Sequence, residues 1–369
     1  MTSQTTKKPI VVLGAGIIGL TTAIRLLESP LSENFDIHVV ADHLPNDPPE
    51  ARYASTAAGA HHLSFADDND HRQQKWDRRT FEVMHQEYKH LGEASGLLEI
   101  RQREFYDGNE KHLKILEEHP EFITHAHDEL PAYATHSVSF TSITMTPLIY
   151  LNRLLLRLND SVNIHRHHVE SLSYLSDPSI TSLIGGLPAA VVVCTGLGAS
   201  TLGDVRDTTV FPTRGQVVKI KAPWVRKGFT RQIGSLNGGE GGERTYVIPR
   251  GDGEVILGGT REINDYHPSP RAETRDSILR RALEICPELA GSKAELEGLV
   301  IADLVGFRPS RTEGVRLERG PDLVLESASE KVETRVVYNY GHGGAGWQSC
   351  WGTAEDVLDL LAGPLGDLK

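Results

Sequence analysis

The feature that most constrains this chain is a glycine-rich turn between a predicted strand and a predicted helix near the N-terminus. An apolar run at 10–13 precedes the turn, an apolar helical pattern at 20–27 follows it, and a second apolar run lies at 35–40. The turn consists of Gly14, Ala15, Gly16, Ile17, Ile18 and Gly19. A strand, a turn, a helix and a strand within about 30 residues are typical of a parallel sheet with a right-handed crossover. We therefore expect the chain to begin with a doubly wound α/β domain.

The turn has the spacing G-x-G-x-x-G, which in this context indicates a dinucleotide-binding site. Gly14 permits the tight turn, Gly16 lets a pyrophosphate approach backbone N–H groups, and Gly19 lets the helix pack closely on the sheet. Asp42 and its neighbour His43 follow the second strand, where a carboxylate accepts hydrogen bonds from ribose hydroxyls. A solvated loop position is the alternative for Asp42. The motif alone does not distinguish NAD from FAD, because both carry the same diphosphate.

A second glycine cluster favours FAD. It lies between a predicted strand at 336–340 and a predicted helix at 354–361. A helix N-terminus at this point can face the pyrimidine carbonyls of a flavin and stabilise negative charge on the reduced ring. An ordinary turn is the alternative. The predicted contacts in the cluster are Gly341, Gly343, Gly344, Ala345 and Gly346.

Charge and composition exclude other classes of partner. The 369 residues include 38 Lys and Arg against 50 Asp and Glu, a net charge of −12, which has the wrong sign to attract nucleic acid or an anionic membrane. The three cysteines have neither metal-ligand nor disulfide-framework spacing, and the N-terminus has the pattern of neither a signal peptide nor a membrane span. We therefore expect the protein to bind small molecules and to have no metal, nucleic acid or membrane partner.

The order of predicted elements indicates two domains that the chain visits alternately. Short apolar runs and glycine turns at 1–60, 145–205 and 300–369 predict a discontinuous α/β domain with a parallel sheet. The segments 61–144 and 206–299 predict an α+β substrate domain with a mainly antiparallel sheet and a helix at 73–91.

At these residues the sequence resembles the flavin-dependent D-amino-acid oxidase family over nearly the whole chain. The resemblance implies noncovalently bound FAD, a fold of the hydroxybenzoate-hydroxylase type, and oxidation of D-amino acids by hydride transfer from Cα to flavin N5. Peroxide then forms from O₂, and no acid–base residue is required. The segments that carry the resemblance are 11–20, 57–59, 214–216, 306–309 with 316–318, and 338–344 with 351–352. The cofactor contacts then also include Ala57, Ala58, Gly59, Val169, Thr195, Gly196, Trp347 and Gln348.

The resemblance also assigns the substrate end of the site. A guanidinium fork matches a planar carboxylate bidentately, and Arg308 is the residue implied to hold the α-carboxylate, assisted by the hydroxyl of Tyr246. A structural arginine and a core aromatic are the alternatives. His62 and Gln348 are secondary candidates, His62 because it follows the flavin-side segment; most other histidines are predicted to be surface residues.

Arginine 261 bears on specificity, because relatives that act on neutral amino acids carry an aromatic residue at this position. A buried side-chain carboxylate needs a cation, and Arg261, Arg231 and Arg244 are the candidates, with surface positions as the alternative. The loop at 234–243 is rich in Gly and Ser and is predicted to act as a lid.

The resemblance therefore predicts an FAD oxidase of acidic D-amino acids, with O₂ as acceptor. An oxidase of neutral D-amino acids, a flavin dehydrogenase and a non-catalytic dinucleotide-binding protein are the alternatives. The resemblance also implies a peroxisomal location, although the chain ends with Gly366-Asp367-Leu368-Lys369 and not with Ser-Lys-Leu; the cytoplasm is the alternative. Homo-oligomerisation stays open.

Overall fold

Two β-sheets organise the chain in the computed structural model, which describes residues 7–109, 111–158, 160–234, 242–328 and 330–366. The strands are Lys8–Leu13 (β1), Phe35–Ala41 (β2), Leu97–Asp107 (β3), Ile123–Thr124 (β4), His136–Met145 (β5), Asn163–Arg166 (β6), Ala190–Val193 (β7), Val210–Lys221 (β8), Lys227–Ile233 (β9), Glu243–Pro249 (β10), Glu254–Gly258 (β11), Glu262–Ile263 (β12), Val300–Arg311 (β13), Arg316–Arg319 (β14), Leu323–Glu326 (β15) and Lys331–Tyr340 (β16). The helices are Ile17–Glu28 (α1), Leu31–Asn34 (α2), Ala54–Ala57 (α3), His71–Leu91 (α4), Pro147–Leu158 (α5), Pro178–Ile184 (α6), Ala272–Ile285 (α7), Lys293–Gly298 (α8) and Gly346–Gly366 (α9).

The first sheet has the strand order β14-β16-β7-β1-β2-β6, and β15 pairs with β16. Its central pairs are parallel, and β14 and β15 pair antiparallel with β16. The central strands are short apolar runs because both faces of the sheet are covered. Val12 packs in a core with α1, α5 and α9, whereas its neighbour Val11 packs with α6 on the opposite face.

The second sheet has the strand order β12-β8-β11-β10-β9-β3-β5-β4, and β13 pairs with β8. The pairs are antiparallel except β3 with β9. Helix α7 covers one face, where Ile278 and Leu279 pack on Val218 and Val255. The predicted α/β fold with a parallel sheet and a second, mainly antiparallel sheet is confirmed.

Two predicted helices begin earlier in the structure than the sequence pattern indicated. Helix α1 begins at Ile17 and not at residue 20, and α9 begins at Gly346 and not at residue 354. The first turns of α9 are helical because Trp347, Cys350 and Trp351 are buried at helical spacing on the first core.

The sheets partition the chain differently from the predicted domain boundaries at two places. Strand β13 pairs with β8 along Val300–Arg311, so the residues after 300 enter the second sheet before the chain returns to the first. Helix α4 packs on α9, where Trp76 Nε1 donates to Asp356 Oδ2 at 2.7 Å. Within the described residues, no helix is both long and apolar enough to cross a bilayer.

Candidate active site

A cavity of about 1550 Å³ is lined by residues of both sheets. It extends from the turn after β1 to the ends of β10, β11 and β13, and Gly14, Asp42, Tyr246 and Arg308 all line it. Ligand pockets usually measure about 300–1,000 Å³. The cavity is therefore large enough for a dinucleotide and a small substrate together.

The glycines of the first turn are required by close backbone approaches. Gly14 has a φ of +108°, and a Cβ there would lie 2.5 Å from the carbonyl oxygen of Cys194. A Cβ at Gly19 would lie 2.8 Å from the carbonyl carbon of Gly14. The first turn of α1 has no acidic residue and no side-chain cap from Gly16, although the N–H of Ile17 donates to Ser55 Oγ at 3.0 Å. This helix N-terminus is suited to an anionic pyrophosphate.

The predicted ribose end also lines the cavity. Asp42 accepts a hydrogen bond from His168 Nδ1 at 2.9 Å, and His43 lies 3.2 Å from Glu50. Val169 lines the same wall. Asp42 thus keeps one short imidazole contact and remains open to the cavity, as a ribose-binding carboxylate requires.

Predicted flavin contacts from α3, from α9 and from the turns after β7 and β16 lie together on one wall of the cavity, which we call the flavin wall. Trp347 Nε1 donates to the carbonyl of Ser55 at 3.1 Å, and a Cβ at Gly306 would lie 2.8 Å from Ala57 Cβ. These contacts bring α9, α3 and β13 together although they are far apart in sequence. The wall is completed by Ala58, Gly59, Thr195, Gly196, Gly341, Gly343, Gly344, Ala345, Gly346 and Gln348.

Three buried polar atoms at the cavity wall have no hydrogen-bond partner among the described residues. They are Thr195 Oγ1, Asn339 Oδ1 and His342 Nε2. A buried polar atom left unpaired costs about 1–3 kcal/mol. Polar atoms of this kind beside glycine-lined backbone fit the phosphate, ribose and ring-edge groups of FAD.

Arg308, on strand β13, is the predicted ligand of the α-carboxylate and lines the cavity. Its Nη1 donates to the carbonyl oxygen of Thr260 at 3.1 Å. A Cβ at Gly215, on the paired strand β8, would lie 2.5 Å from Arg308 Nη2. The guanidinium therefore lies across a position that only glycine leaves open.

Tyr246 and Arg261 line the same cavity as Arg308. The ring of Tyr246 lies against the backbone of Gly258 and Gly259, where a Cβ on Gly259 would approach Tyr246 Cζ to 2.7 Å. Arg261 is open to the cavity, and the pKa of Arg261 is lowered by desolvation at the wall and by the positive charge of Arg308. In the described part of the chain, neither Arg261 nor Arg308 forms an ion pair with a carboxylate.

The three arginine candidates for specificity separate in the structure. Arg244 lines the cavity but donates to Glu104 Oε2 at 3.0 Å, and Glu104 is almost completely buried. Arg231 does not line the cavity: it pairs with Asp107 at 2.8 Å and Glu284 at 3.1 Å. Its strand neighbours Thr230 and Gln232 face the cavity, and side chains alternate along a strand, so Arg231 must lie on the other face. Its predicted pocket position is therefore wrong.

The predicted site histidine, His62, does not line the main cavity, whereas the preceding residue, His61, does. His62 is buried outside the main cavity, and its Nε2–H donates to the carbonyl oxygen of Asp77 at 2.9 Å. His61 lines the cavity instead, with Nε2 at 3.0 Å from Ser142 Oγ. Burial, His62 and Arg244 hold the pKa of His61 well below its ordinary value, so its imidazole is neutral near pH 7.

Arg281 is a cavity residue that sequence reasoning missed. It donates from Nη1 to Thr245 Oγ1 at 2.6 Å and from Nη2 to the carbonyl of Gly259 at 3.3 Å. It comes from helix α7, beneath the sheet, and no local motif marks it. Most of the predicted lid, residues 235–241, lies outside the described residues.

The glycine-lined turns and the arginines of this cavity suit a dinucleotide and a small anion bound together, an arrangement typical of dinucleotide-dependent enzymes. The sequence matches the family model "DAO: FAD dependent oxidoreductase" over residues 9–360. The chain belongs to this family of FAD-dependent oxidoreductases, and FAD is its cofactor.

Relatives with full-length similarity were found in sequence and in structure. The chain is 55% identical over 387 residues to the D-aspartate oxidase of Cryptococcus neoformans var. grubii serotype A, covering 96% of each chain. It is 32% identical to the D-amino-acid oxidase of Fusarium vanettenii, over 95% of this chain and 96% of that relative. Glycine oxidase from Geobacillus kaustophilus has the same fold, with a TM-score of 0.69 at 17% identity over 96% of this chain and 95% of that one.

Proposed function

We propose that this protein oxidises acidic D-amino acids, D-aspartate first and D-glutamate or N-methyl-D-aspartate after it. The products are the 2-oxo acid, ammonia and hydrogen peroxide, formed from the imino acid and O₂. The observation that carries the proposal is the pair of cavity arginines, Arg308 and Arg261, which lack acidic partners among the described residues. The name of the 55% identical relative supports the same substrate.

Two carboxylates match this pair of arginines. We assign the α-carboxylate to Arg308, whose guanidinium is held flat by Thr260 O and Gly215, with the hydroxyl of Tyr246 beside it. We assign the side-chain carboxylate to Arg261. The charge of Arg308 lowers the pKa of Arg261, and an anion bound near both cations favours their charged forms. A dianionic substrate supplies one carboxylate for each arginine.

Arg244 contributes less positive charge to the pocket than Arg261. Its guanidinium is already paired with Glu104, and burial raises the pKa of Glu104 while the charge of Arg244 opposes that shift. Arg244 also lies 4.6 Å from the ring of Phe65. We assign it to shaping the pocket beside His61.

The residues of this chain act by orientation. FAD, when bound, accepts the two electrons and the hydrogen of the substrate Cα–H bond and passes the electrons to O₂. Arg308 and Tyr246 fix the α-carboxylate, and Arg261 fixes the side-chain carboxylate. Because the Cα–H bond must also point to the cofactor site, these two anchors admit one hand of the amino acid. Fixing the substrate in a reactive orientation supplies a large part of the rate enhancement of such a reaction.

The location follows from the product. We propose that the protein works in the peroxisome, because a reaction that releases peroxide is compatible with a compartment that destroys it. Cell fractionation with a tagged full-length chain tests this location, and recovery in the cytosolic fraction would contradict it.

The test of the proposed activity is anaerobic mixing of purified holoenzyme with D-aspartate, D-alanine and L-aspartate in turn, with visible flavin absorbance recorded. We expect rapid loss of flavin colour with D-aspartate alone. Faster bleaching by D-alanine would favour an oxidase of neutral D-amino acids and overturn the role of Arg261. Bleaching by D-aspartate with no peroxide on admission of O₂ would indicate a dehydrogenase, and colour that no substrate bleaches would indicate a non-catalytic flavoprotein.

A further inference from the structure

A carboxyl group that the proposed reaction does not use lies buried beside the flavin wall. Asp77, on helix α4, is completely buried. It accepts hydrogen bonds from Ser64 Oγ at 2.5 Å, from Gln73 Nε2 at 2.7 Å and from Gln348 Nε2 at 3.3 Å. All three donors are neutral, and Asp77 forms no ion pair within the described residues. A buried carboxyl with only neutral donors is costly to ionise and calls for a functional explanation.

Gln348 connects this carboxyl to the flavin wall. It is buried on the third residue of α9, next to Trp347, and it lines the main cavity. An ionised carboxylate only accepts hydrogen bonds, so the amide must turn its Nε2 toward Asp77. The amide oxygen, Oε1, is then directed away from Asp77.

Asp77 also lies on the wall of a second, smaller cavity of about 160 Å³. His62 Nε2 is 2.9 Å from the carbonyl oxygen of Asp77, and the His62 Nδ1 atom has no partner among the described residues. Burial lowers the pKa of His62 to about 4 and that of His119 to about 3. Both imidazoles are therefore neutral near pH 7 and do not compensate the charge of Asp77.

The remaining charged groups around Asp77 are distant or already paired. Asp70 at the start of α4 adds a like charge, which opposes ionisation of Asp77. Arg78 lines the same smaller cavity as Asp77 but pairs with Glu118. The charged and titratable groups around Asp77 are thus Asp70, Arg78 and Glu82 on α4, Glu118 and His119 across the smaller cavity, and His62 in the segment before α4; the side chains of Ser64, Gln73 and Gln348 are neutral.

We propose that Asp77 is a positioning residue for the cofactor site, which fixes the Gln348 amide so that its oxygen serves the flavin wall as an acceptor. This inference rests on the proposed function because both use the same cofactor site. It concerns the binding of FAD and not the choice of substrate. When Asp77 is protonated, its hydroxyl can donate to Gln348 Oε1, and the amide can turn over. Burial raises the pKa of Asp77 to about 7, so this exchange falls near neutral pH.

The experiment compares wild type, Asp77→Asn, Gln348→Met and the double variant, without substrate. The FAD dissociation constant of each apoprotein and the visible spectrum of each holoenzyme are measured across neutral pH. We expect Asp77→Asn to weaken FAD binding about tenfold, as the loss of a charged hydrogen bond does, and to shift the flavin absorbance maximum. In the Gln348→Met background the same substitution is expected to add no further change.

Glu82→Gln is the matched control, because it removes an exposed carboxylate from the same helix, where Glu82 pairs with Arg79. It is expected to leave FAD affinity and spectrum unchanged. Equal effects of Asp77→Asn with and without Gln348 would overturn the proposal, and so would a wild-type spectrum and affinity for Asp77→Asn.

The proposal stays testable if Asp77→Asn does not fold. The wild-type flavin spectrum is then titrated through neutral pH, and a transition that is absent from Gln348→Met supports the proposal; a transition of equal size in both, or in neither, overturns it. Failure of the proposed function is a separate result, because it appears as no bleaching by D-aspartate whatever Asp77 does to the flavin.

Discussion

Arg261 and Arg308 both line the main cavity, and in the described residues neither is paired with an acid. Arg308 keeps only the carbonyl of Thr260, at 3.1 Å, and the pKa of Arg261 is lowered by desolvation and then by the charge of Arg308. Most other arginines close to the cavity have an acidic partner, as Arg244 does with Glu104. The pair is therefore prepared for a ligand that brings its own negative charges.

Arg261→Met tests the specificity side of this pair. The variant keeps the bulk of the side chain but loses the cation, so D-aspartate is left with an unpaired carboxylate. We expect kcat/KM for D-aspartate to fall by about 10- to 100-fold, the equivalent of about 1.5–3 kcal/mol for a charged hydrogen bond, while D-alanine changes much less. Steady-state peroxide assays with both substrates measure the ratio.

Arg231→Met is the matched control for that measurement, because Arg231 lies on the other face of the sheet and pairs with Asp107 and Glu284. The ratio of D-aspartate to D-alanine activity should stay at its wild-type value. An equal loss on both substrates with Arg261→Met would make Arg261 structural, and a changed ratio with Arg231→Met would contradict the two-face arrangement.

Arg308→Lys is expected to lower kcat/KM for D-aspartate and D-alanine alike, by about 10- to 100-fold. Lysine keeps the charge but loses the planar fork that binds a carboxylate through two parallel hydrogen bonds. Both substrates share the α-carboxylate, so both are affected. A loss confined to D-aspartate would exchange the roles assigned to Arg308 and Arg261.

Gly215→Ala is expected to displace the Arg308 guanidinium, because the added methyl group would lie 2.5 Å from Nη2. Activity on both substrates should fall at least tenfold while FAD affinity is retained, since Gly215 lies at the substrate end. Gly298→Ala is the control, because a Cβ there meets no atom within 4 Å. Unchanged activity of Gly215→Ala would show that Arg308 has room to move.

Asp77→Asn is expected to change how stability depends on pH. Burial raises the pKa of Asp77 in the folded protein from 3.8 to about 7, so between these values the folded state binds the extra proton. The free energy of unfolding therefore falls as pH rises through this window, by a few kcal/mol at most. Asparagine does not ionise, so the variant lacks this pH-dependent loss of stability. Its free energy of unfolding should therefore rise relative to that of wild type as the pH increases from about 4 to about 7.

Urea unfolding of both apoproteins at several pH values measures this difference, in which the titration of all shared groups cancels. A constant difference between the two proteins across the window would show that Asp77 is ionised in the folded state throughout.

Local sequence was sufficient wherever a short pattern has one structural solution. The turn at 14–19 follows a buried strand and opens α1, and the close contacts at Gly14 and Gly19 leave no room for any other residue. The parallel strands were visible as apolar runs because both their faces are covered. These patterns indicated residues that line the glycine-rich part of the cavity, and their contacts with FAD stay a prediction.

Long-range pairing was beyond such patterns. The sequence of Val300–Arg311 is compatible with a strand in either domain. Only its pairing with Val210–Lys221 assigns it to the second sheet. Strand alternation placed Arg244 in the cavity and Arg231 outside it, and a shift of one residue decided between His61 and His62. Sequence spacing alone does not define which face of a strand meets the cavity.

The sequence by itself thus determined the glycine-rich turn and the class of fold, and its resemblance predicts the roles of Arg308 and Arg261 toward the substrate. Tertiary structure alone decided which charges remain unpaired: Arg244 is neutralised by Glu104, which is 140 residues away in the chain, whereas Arg261 is not paired in the described residues. It also decided that Asp77 meets Gln348 across 271 residues. The physical reason is that burial and charge pairing depend on neighbours in space, and separate segments of the chain supply those neighbours only after folding.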